Sequence, residues 1–101
     1  MTPQIQRMIA ALEAARFAYP VAFYPEHAWD LGPVVSIDAF DVPEALVLPV
    51  SEQLNDVLDP IEAEPMWLAC AFDAEESPEK RAELPAETVW YLPRRTHAQT
   101  R

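Results

Sequence analysis

Glu52, Asp56 and Asp59 stand at i, i+4 and i+7, so on a helix they share one outward face, with Glu62 and Glu64 just past its end. Carboxylates in such a row have two chemistries open to them. They can occupy the Lys and Arg sites of a basic protein, or hold a hard cation through oxygen. Asp56, Asp59, Glu62 and Glu64 form one set of oxygen donors; Asp38, Asp41 and Glu44, around a turn, form a second. The calcium-loop pattern of acidic ligands about a glycine is missing from both, so no dedicated metal site is expected. The row from Glu52 to Glu64 is therefore assigned to partner binding.

Catalytic groups are few. Asp38, flanked by Ile37, Ala39 and Phe40, is the carboxylate best placed for acid/base work, which needs an apolar pocket to raise a pKa. Strand alternation puts it on the polar face instead. Cys70 sits in the most apolar run of the chain, with no basic neighbour to favour its thiolate, and reads as a packing residue. As the single cysteine it can form neither an intramolecular disulfide nor a zinc site built on thiolates. Ser36, Ser51 and Ser77 lack the glycine pattern of a nucleophile elbow. His27, near Trp29 and Asp30, reads as a loop residue beside an aromatic anchor. The lone glycine, Gly32, excludes glycine-rich phosphate loops. No catalytic residue and no cofactor is expected.

Charge narrows the partners further. Between Arg16 and Lys80 lie 63 residues with no Lys or Arg and fourteen carboxylates, so the net charge of -10 is concentrated in the middle of the chain. A merely soluble surface mixes both signs. A field of one sign repels nucleic acid and anionic membrane and attracts basic surfaces. No run approaches the ~20 apolar residues of a membrane span. The N-terminus has no basic region ahead of its apolar positions, so no secretory leader is expected and the cytoplasm is the expected compartment.

The elements that must position these groups follow from periodicity. Thr2 can cap a helix that Pro3 opens, and Ile5, Met8, Ile9 and Leu12 give a helical stripe, so a helix is expected over about residues 3–18, ended by Pro20. Val21 to Tyr24, between two prolines, reads as a short edge strand, and residues 26–33 as a loop. Val35, Ile37 and Ala39 alternate with Ser36 and Asp38 in a strand over 34–40. Residues 41–44 read as a turn and 45–50 as a second strand, giving a hairpin. Ser51 can cap a short helix with Leu54, Val57, Leu58 and Ile61 on its apolar side. Met66 to Phe72, apolar on both faces, reads as a central strand covered on both sides. Residues 77–84 give a helical turn, and 88–92 a last strand with Val89 and Tyr91 opposite Trp90.

This order predicts an α+β protein: a small mixed or antiparallel sheet of four to five strands packed against the N-terminal helix and the short second helix, in one domain over 1–93, followed by a basic polar tail over 94–101. Half of the residues are apolar, enough for a packed core and too many for an acidic disordered tail. The expected function is a small acidic, non-enzymatic interaction protein that binds a basic protein surface and touches neither nucleic acid nor membrane directly. Its concrete form is an inhibitor, antidote or nucleic-acid mimic; the analogy to such proteins rests on charge and size alone. The alternative is a structural or assembly subunit, or a chaperone, in which Trp29, Trp67 or Trp90 forms an apolar interface and the charge serves solubility.

Overall fold

The structure, a computed structural model, describes residues 2–28, 32–61 and 66–93. Trp29, Asp30, Glu62, Glu64 and the basic tail over 94–101 lie outside the described residues. The order of elements is α1 (Pro3–Ala14), β1 (Val21–Ala28), β2 (Gly32–Val42), one 3-10 turn (Glu44–Leu46), α2 (Val47–Leu58), β3 (Trp67–Asp73), α3 (Ser77–Ala82) and β4 (Val89–Tyr91). The sheet has four strands in the order β3-β2-β1-β4. β1 pairs antiparallel with β2 and with β4, while β2 pairs parallel with β3. The α+β architecture with a mixed sheet is as expected.

α1 starts where the sequence puts it: the Thr2 hydroxyl accepts the Ile5 N–H at 3.1 Å, and Pro3 needs no partner for a missing N–H. It ends earlier than Pro20. Arg16 adopts φ +55, the Arg16 N–H donates to the Glu13 carbonyl and the Phe17 N–H to the Leu12 carbonyl, the two bonds of a left-handed helix terminus. Glycine usually fills that position; this chain has one glycine, and it is used at φ +77 to open β2.

Three expectations need correction. The hairpin is made by β1 and β2, not by β2 and residues 45–50. Residues 44–58 form the 3-10 turn and α2, so Ser51 lies inside the helix and caps nothing. Pro49 allows this because it is the third residue of α2, where the N–H has no intrahelical partner to lose. Second, β1 is an edge only in part. It is flanked by β2 and β4 at Val21–Phe23, then runs on through Pro25 to Ala28, past the end of β4, where a strand tolerates proline. Third, β3 is an edge strand rather than a central one, and one of its faces is open: Leu68 is 47% exposed and Cys70 is also exposed.

One face of the sheet carries the core. Val21 and Phe23, Val35, Ile37 and Ala39, Ala71, and Tyr91 pack against Ile5, Met8 and Leu12 of α1 and Val50, Leu54 and Leu58 of α2. The opposite face holds the alternate residues, and α3 lies on it. Arg81 sits 5.2 Å from the Phe40 ring centre and 5.4 Å from that of Trp90; Phe40 also stacks on Phe72 at 5.8 Å. The placement follows from topology. The crossover from β2 to β3 runs one way across the sheet, and that from β3 to β4 runs the other way. Parallel crossovers share one hand almost without exception, so opposite directions put their helices on opposite faces.

A buried hydroxyl anchors the start of α3. Ser77, fully buried, accepts the Asp41 N–H at 2.8 Å and donates to the Asp73 carbonyl at 2.6 Å. Asp41 itself takes φ +62, where the β2–β3 register breaks, and its carboxylate pairs with Arg81 at 2.6 Å.

Candidate functional site

The two faces of the sheet present two different surfaces. On the α2 side, burial of Val50, Leu54 and Leu58 turns Glu52, Asp56 and Asp59 outward, all three exposed. Leu48, four residues before Glu52 and 70% exposed, continues the same stripe toward the start of the helix. Among the described residues the single ion pair is Arg81–Asp41, so no cation among them is paired with this row. The structure thus brings three of the five predicted partner-binding carboxylates to one face.

The second site was not expected. β2 directs Ser36 and Asp38 to the face away from α1 and α2, yet both are buried, with Asp38 only 7% exposed. The reading of that face as simply polar and solvated is corrected: α3 and the aromatic side chains shelter it at one end. Tyr24 stands directly opposite Ser36, but its hydroxyl reaches diagonally and donates to Asp38 Oδ2 at 2.7 Å. Ser36 donates to Glu26 on the same diagonal. Cys70, opposite Asp38 on β3, points its sulfur to Asp38 Oδ1 at 3.6 Å. Leu68, Phe72, Lys80, Glu83 and Leu84 complete the walls of an open cavity of about 440 Å³.

Burial pushes the Asp38 carboxyl above its usual value, although the donations from Tyr24 and Cys70 favour its anion. The Tyr24 hydroxyl is raised as well, by burial first and then by Asp38. Cys70 is exposed by area, but its inward-facing thiol is pushed up to about 11 by burial and by the Asp38 charge. That corrects its reading as a buried packing residue and leaves it a poor nucleophile. Asp38 is the carboxylate that the sequence singled out for acid/base chemistry; its burial is real, and the groups bonded to it are the Tyr24 hydroxyl and the Cys70 thiol.

Other candidates separate. Asp41 is bound to Arg81, and the cluster Asp38, Asp41 and Glu44 does not gather; no group of three His, Cys, Asp or Glu side chains among the described residues is placed to hold a metal ion. Asp73 is structural, accepting the N–H groups of Glu75 and Glu76 at 3.0 and 2.8 Å. Among the described residues, no helix is long and apolar enough to cross a membrane. Tyr24 and Glu26 escaped the sequence reading because Pro25 between them argued for the end of a strand. The signal was the continued alternation Ala22, Tyr24, Glu26.

No family model matches the sequence, and neither a curated protein nor a solved structure matches it. Both surfaces are therefore read from their own residues.

Proposed function

We propose that this chain is a non-enzymatic interaction protein that docks the outward face of α2 on a basic protein surface, as an inhibitor, antidote or nucleic-acid mimic does. The observation that carries the reading is the stripe Leu48, Glu52, Asp56 and Asp59, exposed and without an internal counter-charge among the described residues. Carboxylates fixed on a rigid helix can fill the Arg and Lys sites that otherwise take phosphates. Leu48 adds an apolar anchor of the kind that holds a complex once charge has steered it together. Glu62 and Glu64 follow α2 in the sequence and extend the acidic run.

The test is capture of a basic, nucleic-acid-handling protein from the native host on immobilised protein, at low and high salt, followed by competition with duplex DNA or RNA. The expected result is capture at low salt, release at high salt, displacement by nucleic acid, and loss of capture when Glu52→Gln, Asp56→Asn and Asp59→Asn are combined. Capture that survives high salt and the triple change would refute it.

A second reading, an assembly subunit or chaperone with an apolar interface, draws on Met66, just before the edge strand β3, and Leu68 on it, 45% and 47% exposed. Of the tryptophans named for that interface, Trp67 and Trp90 are half-buried, Trp67 against the core and Trp90 between Phe40 and Arg81, and Trp29 lies outside the described residues. Salt-resistant capture abolished by Leu68→Asp is its expected signature.

A further inference from the structure

The open cavity on the second face has a one-sided chemistry. Its floor is Asp38, Glu26, Tyr24 and Ser36, and every side-chain donor on that floor is already committed. Tyr24 and Cys70 donate to Asp38, and Ser36 donates to Glu26. The backbone of β2 is paired on both sides, with β1 and β3. What remains free is acceptors: the outer lone pairs of two carboxylates and of two hydroxyl oxygens. The cation among the lining side chains is Lys80, and its ammonium lies 5.4 Å from the Phe72 ring centre, with no ion pair to Asp38 or Glu26. Leu68, Phe72 and Leu84 add apolar wall.

A carboxylate 7% exposed and without an ion pair is expensive to keep, because burial strips its water, and two neutral donors with the more distant Lys80 charge return only part of that solvation. We propose that this cavity binds a small organic cation, an ammonium or amidinium group on a compact apolar body, with the cation on Asp38 and Glu26 and the body against Leu68, Phe72 and Leu84. The complement of a floor that offers only acceptors is a group that offers only donors, and the complement of its walls is a flat apolar surface. The site lies on the face opposite α2, so its fate is independent of the docking reading.

The probes are benzamidine and benzamide, which share shape and differ in charge. Titration calorimetry of the full chain at about 0.15 M salt, where diffuse attraction to an acidic body is screened beyond about 8 Å, is expected to give saturable binding of benzamidine at one site and no heat from benzamide. Asp38→Asn is expected to weaken benzamidine at least about tenfold, the order of effect seen when one partner of a desolvated charge pair is removed. Its fold is checked by circular dichroism. Leu68→Lys, a change at an exposed position, supplies an ammonium from the chain itself and is expected to abolish binding without disturbing the core. The combined Glu52→Gln, Asp56→Asn and Asp59→Asn protein is expected to bind as the native one does. Three outcomes overturn the proposal: benzamide binding as well as benzamidine, no saturable binding of benzamidine, or loss of binding in the α2 variant with retention in Asp38→Asn.

Discussion

Asp38 and Tyr24 show how one residue pair can set both stability and its pH dependence. Burial raises the Asp38 carboxyl above its unfolded value, so the folded protein holds that proton more tightly than the unfolded chain. Its contribution to stability is thus fully present below the unfolded pKa of about 4 and is lost as pH rises through the raised folded value. Asp38→Asn removes this loss, so urea midpoints measured from about pH 4 to about pH 7 are expected to shift steadily in the variant's favour. A constant offset would show that Asp38 titrates alike in both states. Tyr24→Phe withdraws the donor at 2.7 Å and is expected to cost about 1.5 kcal/mol near neutral pH, less when Asp38 is already Asn. A double-mutant cycle measures that coupling. Only part of this cluster was legible in the sequence: the apolar flanks single out Asp38, but alternation assigns it to the polar face, and its burial there comes from elements distant in the chain. Tyr24 and Cys70 were not, because strand register brings them beside it, and register here depends on long-range pairing.

Elements whose caps and periodicity are local were read most accurately. Thr2-Pro3 opens α1, and the alternation in 34–40 gives β2. The failures share a cause: an apolar run is ambiguous until its neighbours are known. Ala45–Val50 reads as a strand in isolation, but Val47, Val50, Leu54, Val57, Leu58 and Ile61 carry one helical stripe through it, and Pro49 falls where helices accept it. Met66–Phe72 is apolar on both sides for two different reasons, core on one and cavity wall on the other. The end of α1 was misplaced because a left-handed Arg has no sequence signature. Arg16 is exposed and its φ of +55 is strained for a residue with a Cβ, so Arg16→Gly is expected to raise stability by about 1 kcal/mol. Thermal unfolding reads it directly; a drop instead would mean that the Arg16 side chain does more than cap. Ser77→Ala is expected to cost about 1 kcal/mol by removing the buried hydroxyl that bonds the Asp41 N–H and the Asp73 carbonyl, and to loosen α3 over the cavity.

At the scale of the whole molecule, charge and topology divide the surface. The fourteen carboxylates of the basic-free stretch do not form one patch: some lie along α2, Asp38 and Glu26 turn to the opposite face, and Asp41 is neutralised by Arg81. The two crossovers force that division, since they set α2 and α3 on opposite sides of the sheet. With a net charge of -10 the folded state carries self-repulsion, so Tm is expected to rise between about 0.01 M and about 0.15 M salt. The protein with Glu52→Gln, Asp56→Asn and Asp59→Asn is expected to respond less. An unchanged salt response would assign the repulsion to the other face.

The Tyr91 hydroxyl has a reach beyond its own strand. Buried in the core, it donates to the Phe17 carbonyl at 2.8 Å, just past the terminus of α1, while β4 pairs with Val21–Phe23. The first helix and the last strand are thereby fastened to each other across most of the chain's length. Elements at opposite ends of a sequence ordinarily fray separately. Here they are tied into one opening unit, so amide exchange in α1 is expected to quicken when β4 is loosened by Tyr91→Phe, as a seam gives way at both edges when a single stitch is cut.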